Sequence, residues 1–148
     1  MEPKRPNDTP ATFSILQATR DGLPALIVID TGLNPDLEQR SFPWLLTISL
    51  PIARPNAQGL CDANESERLD DVEDTLLAGL SQEDYRYIGH ITWNSIRDVL
   101  IYVANPEDAV ALLNKQLENV DCVTTKIKIT STDDPDWKQY RRFPIAHH

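Results

Sequence analysis

The order of its periodic segments constrains the fold of this chain more than any other feature of its sequence. Two segments carry apolar side chains at helical spacing, and both lie between segments with the alternating or continuous apolar pattern of strands. The full order is β-β-β-α-β-β-α-β, and its last six segments follow the order of ferredoxin-like domains. We therefore predict an α+β fold. It has a ferredoxin-like βαββαβ core, with two helices on one face of an antiparallel sheet, and an added N-terminal β-hairpin.

The predicted strands are rich in β-branched and aromatic residues and end at turn-forming residues. Asp21-Gly22 predicts a tight turn after the first strand, and Asn94-Ser95 predicts another between the fourth and fifth strands. The second strand is apolar throughout, which favours burial on both faces or a covered edge. The six strands are predicted over residues 11–19, 25–29, 44–50, 85–93, 96–103 and 122–130.

Two helices are predicted from apolar stripes and from capping residues. The first covers residues 65–80, with Asn64 as N-cap and Glu67 completing a capping box. The second begins after Asn105, with Pro106 at its first position. The stripes consist of Leu69, Val72, Leu76, Leu77 and Leu80 in the first helix, and of Ala109, Val110, Leu113 and Leu117 in the second.

The chain has 148 residues, which fits one domain with a core of its own. Residues 1–10 hold three prolines among polar side chains, and such a segment cannot bury enough apolar surface to fold. We expect a disordered tail over residues 1–10 and a single α+β domain over residues 11–146.

The net charge of −9 argues against non-specific binding to nucleic acid and disfavours binding to anionic membranes. Non-specific binding to nucleic acid needs clustered lysine and arginine, and anionic membranes attract the same residues. No apolar run approaches the length of a membrane helix, and no apolar stretch follows the first ten residues as in an export signal. We therefore expect a cytoplasmic protein, with Cys61 and Cys122 as free thiols.

The negative charge is concentrated in the first predicted helix and its flanks. Residues 62–84 contain nine carboxylates and one basic residue, Arg68. The carboxylates, foremost Asp70, Asp71 and Asp74, form either a solvated face or a surface complementary to a basic patch on a partner protein. Because the C-terminal end is basic, the helix could also pair with that end of a second copy in a homodimer.

Motifs of known enzymes are not found in the sequence. No glycines form a phosphate-binding loop or a dinucleotide fingerprint, and no serine lies in a nucleophile elbow. His90 lies in the middle of a strand, where a structural role is the simplest interpretation. Asp133, Asp134 and Asp136 lack the ligand spacing of a calcium loop, and a turn that caps the next helical segment explains them better. We assign no catalytic residue, cofactor or metal.

The C-terminal segment resembles a known family. Asp134-Pro135-Asp136-Trp137, followed by Tyr140, resembles the closing D-P-[DE]-W-x-x-Y signature of the bacterial domain-of-unknown-function family 695. Other segments are similar to that family in the same order, and the resemblance covers residues 12–143. The resemblance implies no activity. Members of that family are sometimes fused to a domain similar to the protein inhibitor of ribonuclease E. This association implies that the chain binds another protein and regulates it.

Further candidate residues for an interaction surface are polar or aromatic. Arg97 could pair with Glu73 if the first helix meets its strand, and Tyr102 falls on the opposite face of that strand. Trp137 and Tyr140 could pin the C-terminal segment to the sheet or bind a partner.

We interpret the chain as a non-enzymatic protein-binding or regulatory module. The alternative is a small enzyme or ligand-binding domain, with a pocket between the sheet face and the Trp137 segment. The candidate surface comprises Asp70, Asp71, Asp74, Arg97, Tyr102, Asp134, Trp137 and Tyr140.

Overall fold

One six-stranded antiparallel sheet organises residues 12–120 and 126–143, which a computed structural model describes. The order in the sheet is β1-β2-β4-β5-β3-β6. The strands are β1 (Phe13–Arg20), β2 (Leu23–Asp30), β3 (Trp44–Pro51), β4 (Tyr85–Trp93), β5 (Ile96–Val103) and β6 (Lys128–Asp133). The helices are α1 (Pro35–Glu38), α2 (Ala63–Leu77), α3 (Pro106–Gln116) and α4 (Lys138–Arg141), with a 3₁₀ turn at Leu117–Asn119. The predicted α+β class is confirmed.

Both predicted tight turns are present, and their backbone conformations explain the residues found there. Asp21 and Gly22 have φ values of 52° and 79°, and Asn94 and Ser95 have φ values of 50° and 70°. Two-residue hairpin loops with positive φ at both positions match the twist of the strands that they join. The turns therefore fix the register of the β1–β2 and β4–β5 hairpins.

The first core lies on the face of the sheet that carries α2 and α3. Leu46, Ile48 and Leu50 alternate along β3, and Val99 and Ile101 alternate along β5, so all five point to this face. Leucines of both helices pack on them. The helix residues of this core are Leu69, Val72, Leu76 and Leu77 of α2, and Ala109 and Leu113 of α3.

The second core lies on the opposite face of the same sheet. Ile29, Ile88 and Tyr102 supply it from three neighbouring strands. Leu33 and Phe42 cover it from the segment around α1, and Trp137 and Tyr140 cover it from the C-terminal segment. β5 is therefore buried on both faces, which explains its continuous apolar stretch over residues 99–103. β2 is buried on the face of the second core and half-buried at Leu26 and Val28 on the other face.

Several predicted element boundaries differ from the observed ones, most of all those of α2 and β6. Helix α2 was predicted to end at Leu80 and ends at Leu77. Helix α2 begins at Ala63 and not at Glu65, because Asp62 is the N-cap and accepts a hydrogen bond from the N–H of Glu65 at 2.8 Å. Strand β6 runs from Lys128 to Asp133, farther along the chain than predicted. Residues 122–125 of the predicted last strand, the expected tail over residues 1–10 and the end of the expected domain lie outside the described residues.

A β-bulge interrupts β4 in the middle of the sheet. The pairing between β4 and β5 shifts between Tyr87 and Gly89, so that Ile88 is the additional residue. Gly89 has a φ of 149°, and its α-carbon approaches the backbone of β2 closely. The shift places Tyr87 and His90 on the same face, the one that carries α2.

Candidate functional site

The exposed side of α2 carries the carboxylates singled out by the sequence. Glu67, Asp70 and Asp71 are exposed, and Asp74 is half-buried. Arg68, the one basic residue of this helix, donates from Nε and Nη2 to the carboxylate of Glu65. This outer surface of α2 (Glu67, Asp70, Asp71 and Asp74), called here the acidic face, therefore has an excess of negative charge.

Glu65 fixes the start of α2 against the loop that follows β3. Its carboxylate accepts hydrogen bonds from the backbone N–H groups of Ala53 and Arg54, and its side chain is buried. The predicted capping box placed the reaching carboxylate at Glu67, with Asn64 as cap. The same three-residue spacing recurs between Asp62 and Glu65, and the contacts with the loop select this second pair.

We expect Glu65→Gln to lower the stability of the domain at neutral pH by about 1–3 kcal/mol, because charged hydrogen bonds are lost. The hydrogen bond from Arg68 lowers the pKa of Glu65 most, backbone N–H donors lower it further, and burial opposes them. A lowered pKa contributes stability above the ordinary value of 4.5, and this stability is lost as the pH falls through the lowered value. Urea unfolding of wild type and variant from pH 7 downward should give converging free energies. Glu67→Gln, on an exposed carboxylate, is the control and should change little at any pH.

The inner side of α2 meets the sheet through a buried polar cluster. Glu73 accepts a hydrogen bond of 2.6 Å from the hydroxyl of Tyr87, and its other oxygen lies 3.1 Å from Nδ1 of His90. The hydroxyl of Tyr87 also lies 3.3 Å from that nitrogen. Glu73 is 9% exposed and His90 13%, so this contact joins helix to strand in a largely dry environment.

Arg97 of β5 extends the cluster to the acidic face. Its Nη1 lies 2.7 Å from Oδ1 of Asp70 and 3.8 Å from Oε1 of Glu73, and its Nη2 donates to Oγ of Ser66. The proposed proximity of Arg97 and Glu73 is present, although Asp70 is the closer partner. The side chain of Arg97 is 3% exposed, whereas that of Asp70 is 52% exposed, so the ion pair joins a buried guanidinium to a surface carboxylate.

The electrostatics of α2 reflect burial together with crowding of like charges. Burial raises the pKa of Asp74, and the neighbouring carboxylates of Glu73, Asp70 and Asp71 raise it further. Burial and the charge of Asp74 raise the pKa of Tyr85. A raised carboxyl pKa means that the field of the folded protein disfavours the ionised form. The acidic face therefore has more carboxylates than the described basic groups beside it can pair, since Arg97 bonds to Asp70 and Arg68 bonds to Glu65.

The polar cluster has the chemistry of a structural tie. Burial, followed by the negative charge of Glu73, raises the pKa of Tyr87 well above its ordinary value, so the phenol remains a proton donor to that carboxylate. Glu73, Tyr87 and His90 bond to one another, and Arg97 bonds to two residues of α2. These contacts hold α2 at a fixed position on the sheet, with the acidic face outward.

The aromatic candidates lie on the opposite face, in the second core. Tyr102 and Trp137 stack at 4.2 Å between ring centroids with an interplanar angle of 10°, and both are fully buried. The indole N–H of Trp137 donates to the carbonyl of Phe42 at 2.8 Å, and the hydroxyl of Tyr140 donates to the carbonyl of Asp30 at 2.6 Å. Side chains therefore fill the space where the alternative hypothesis placed a ligand pocket.

Asp134 organises the turn that precedes α4. Its carboxylate accepts hydrogen bonds from the N–H groups of Lys138 and Gln139, and it accepts a third, of 2.7 Å, from the hydroxyl of Tyr102. Burial and this last hydrogen bond raise the pKa of Tyr102. The carboxylate thus satisfies the start of a helical turn, as its position in the sequence indicated.

The structure separates the eight candidate residues into two groups. Asp70, Asp71 and Asp74 lie on the acidic face. The other five are buried, and this corrects their assignment to a surface, because a side chain enclosed in the core cannot meet a partner without a rearrangement. These five are Arg97, Tyr102, Asp134, Trp137 and Tyr140.

The sequence analysis gave His90 a structural role without naming its partners, did not single out Tyr87, and named Glu73 only as a partner of Arg97. A signal for Glu73 was present, since it lies four residues after Leu69 and four before Leu77, on the apolar stripe of α2. A carboxylate at such a position requires buried partners. The partners themselves depend on the bulge at Gly89, which the pattern of β4 did not reveal.

A comparison of the sequence with models of protein families gives a match over residues 13–144. These residues match the profile described as "Family of unknown function (DUF695)". The chain belongs to this family. The signature that suggested DUF695, from Asp134 to Tyr140, consists largely of residues that close the second core. No curated protein and no solved structure gives a significant match to this DUF695 chain. Within the described ranges, no helix is both long and apolar enough to cross a membrane.

Proposed function

We propose that this member of the DUF695 family is a non-enzymatic protein-binding or regulatory module whose acidic face contacts a basic surface of a partner protein. The observation that carries the proposal is the charge imbalance of α2. Its outer carboxylates are exposed or half-buried, whereas its single basic residue, Arg68, is held by Glu65. Burial raises the pKa of Asp74 most, and repulsion from Glu73, Asp70 and Asp71 raises it further. A partner that supplies positive charge would offset this repulsion.

The rigid attachment of α2 supports recognition by charge. Glu65 fixes the start of the helix, and the cluster of Glu73, Tyr87, His90 and Arg97 fixes its middle. Charges held at fixed positions impose less entropic cost on a complex than charges on flexible side chains. Such a surface accelerates association and disfavours acidic partners.

We also infer that β3, α2, β4, β5, α3 and β6 form a ferredoxin-like core, to which the β1–β2 hairpin adds two strands beside β4. The strand order supports this inference. β5 separates β3 from β4, and β3 separates β5 from β6, as in two split βαβ units. The apolar residues of both helices belong to one core on one face, which agrees with this arrangement.

The test of binding compares two variants with equal changes in charge. Glu67→Lys with Asp71→Lys reverses two exposed carboxylates of the acidic face. Asp70 is left intact because its loss would leave the buried Arg97 without its nearest partner. The control is Glu107→Lys with Glu118→Lys, which reverses two exposed carboxylates in and after α3. Each protein is used as bait in a pull-down at low salt, and retained proteins are identified by mass spectrometry.

We expect a partner retained by wild type and by the α3 control to be lost from the α2 variant, and to be released by moderate salt. Binding of the purified partner should then weaken at least tenfold in the α2 variant, which corresponds to about 1.4 kcal/mol. Equal retention by all three proteins would contradict the proposed role of the acidic face. Circular dichroism should give the same folded signal for each bait.

A further inference from the structure

The outer edge of β1 presents backbone groups that pair with no described residue. The N–H of Thr31 donates to the carbonyl of Thr12, and Arg20 lies opposite Leu23 across the two-residue turn. Since backbone groups alternate in direction along an antiparallel strand, the even-numbered residues of β1 bond to β2. The N–H and carbonyl groups that point outward belong to Phe13, Ile15, Gln17 and Thr19.

Within the described residues, β1 itself has no proline, bulge or charge in mid-strand, features that protect many edge strands. β1 has eight residues, without proline or glycine, and its one charged residue, Arg20, lies at its end with the guanidinium over the ring of Trp93. Ile15 is 70% exposed in the middle of the strand. The other edge strand, β6, is shorter and has a charged residue, Lys128 or Asp133, at each end. Short length and charge prevent edge pairing, so β1 is the edge open to pairing.

We propose that β1 pairs antiparallel with β1 of a second copy, which joins the two sheets into one. A twofold axis perpendicular to the sheet relates two such strands, so residues of equal parity lie opposite one another. Ile15 lies opposite Val28, which lies opposite His90, and the ring of His90 contacts Glu73 of α2. Ile15 is thus on the helix-bearing face, and its partner's Ile15 joins it there.

The charge distribution permits this occupant although each copy has a net charge of −9. The cluster around Glu73 fastens α2 above β4 and β5, and four strands would separate one β4 from the other. At a strand spacing of about 4.8 Å, the two β4 strands lie about 24 Å apart. This distance exceeds the screening length of about 8–10 Å at moderate salt, so the acidic faces repel little.

The test is sedimentation equilibrium of the full chain at low and high salt. Ile15→Lys places two ammonium groups near the axis and should weaken the dimer at least tenfold, equivalent to about 1.4 kcal/mol. Leu37→Lys is the matched control, because Leu37 is 75% exposed and lies on α1, outside the sheet. Gln17→Pro removes an outward N–H and should weaken the dimer without loss of a bond to β2. Thermal unfolding checks that each variant is folded.

Hydrogen exchange by NMR locates the interface. The amides of Phe13, Ile15, Gln17 and Thr19 should become protected as protein concentration rises, and added salt should leave the dimer unchanged or strengthen it. A monomer at all concentrations would overturn the proposal, as would equal weakening by Ile15→Lys and Leu37→Lys. A dimer that salt dissociates, with unprotected β1 amides, would also overturn it and would favour pairing of α2 with the basic C-terminal end.

Discussion

Gly89→Ala is expected to cause a severe loss of stability, because an added β-carbon has no space at the bulge of β4. The β-carbon would lie 2.0 Å from the carbonyl oxygen of Val28 and 2.9 Å from the α-carbon of Ile29. Both atoms belong to the backbone of β2, so relief requires separation of two central strands. Backbone strain at a φ of 149° adds about 1–3 kcal/mol, and overpacking adds about 1–3 kcal/mol or more.

The sum, roughly 4 kcal/mol, is a large part of the ~5–15 kcal/mol that holds a domain folded. Gly22→Ala is the control, because Gly22 also has a positive φ, of 79°, but has no atom within 4 Å of the added carbon. Guanidinium unfolding followed by circular dichroism should give a small loss for Gly22→Ala and a large loss, or no folded protein, for Gly89→Ala. Similar losses for the two variants would show that the close approach of β2 is not what fixes this position.

Trp137→Ala is expected to cost about 3–5 kcal/mol, the usual loss when a buried tryptophan or phenylalanine is truncated. The indole is fully buried, stacks on Tyr102 and meets the ring of Tyr140 edge to face at 5.7 Å between centroids. Its removal also leaves the carbonyl of Phe42 without its donor. The second core would lose its largest side chain and the attachment of α4 together.

Trp93→Ala is the matched control, since Trp93 is half-buried and its indole N–H reaches the carbonyl of Arg20 at the rim of the sheet. We expect a loss of about 1–2 kcal/mol there. Denaturant unfolding of both variants, monitored by far-ultraviolet circular dichroism, gives the comparison. Equal losses, or a loss below about 1 kcal/mol for Trp137→Ala, would contradict the role assigned to the C-terminal segment.

The fold was largely predictable because most elements carry local signals. Asn94-Ser95 is a local turn signal between two strand patterns, and Asn105 with Pro106 is a local signal for the start of a helix. The alternation of apolar and polar residues along β3 likewise agrees with the burial of Leu46, Ile48 and Leu50 in one core. The start of α2 was less predictable, because the loop at Ala53 and Arg54 decides between two equally spaced capping pairs.

The candidate site was harder to predict because its members are brought together by tertiary contacts. Glu73, Tyr87 and His90 meet only after a bulge rotates part of β4, and nothing local in the sequence distinguishes Ile88 as the additional residue. The exposure of the candidate side chains was also difficult to predict from the sequence. Trp137 has a backbone φ of 55°, a left-handed conformation that is uncommon for a bulky residue, and the burial of its side chain depends on distant residues such as Phe42 and Tyr102.

The anchoring of Trp137 and Tyr140 has a consequence for biosynthesis. These residues bond to carbonyl groups 95 and 110 positions earlier in the chain. A ribosome makes the chain from its N-terminus, so β1 to β5 emerge while the apolar surface that Trp137 will cover is still open. During that interval the nascent chain exposes Ile29, Leu45 and Tyr102 to other proteins in the cell. Translation that stalls between Asp133 and Trp137 would therefore yield a product that chaperones retain and proteases remove, even though all six strands of the sheet have been made.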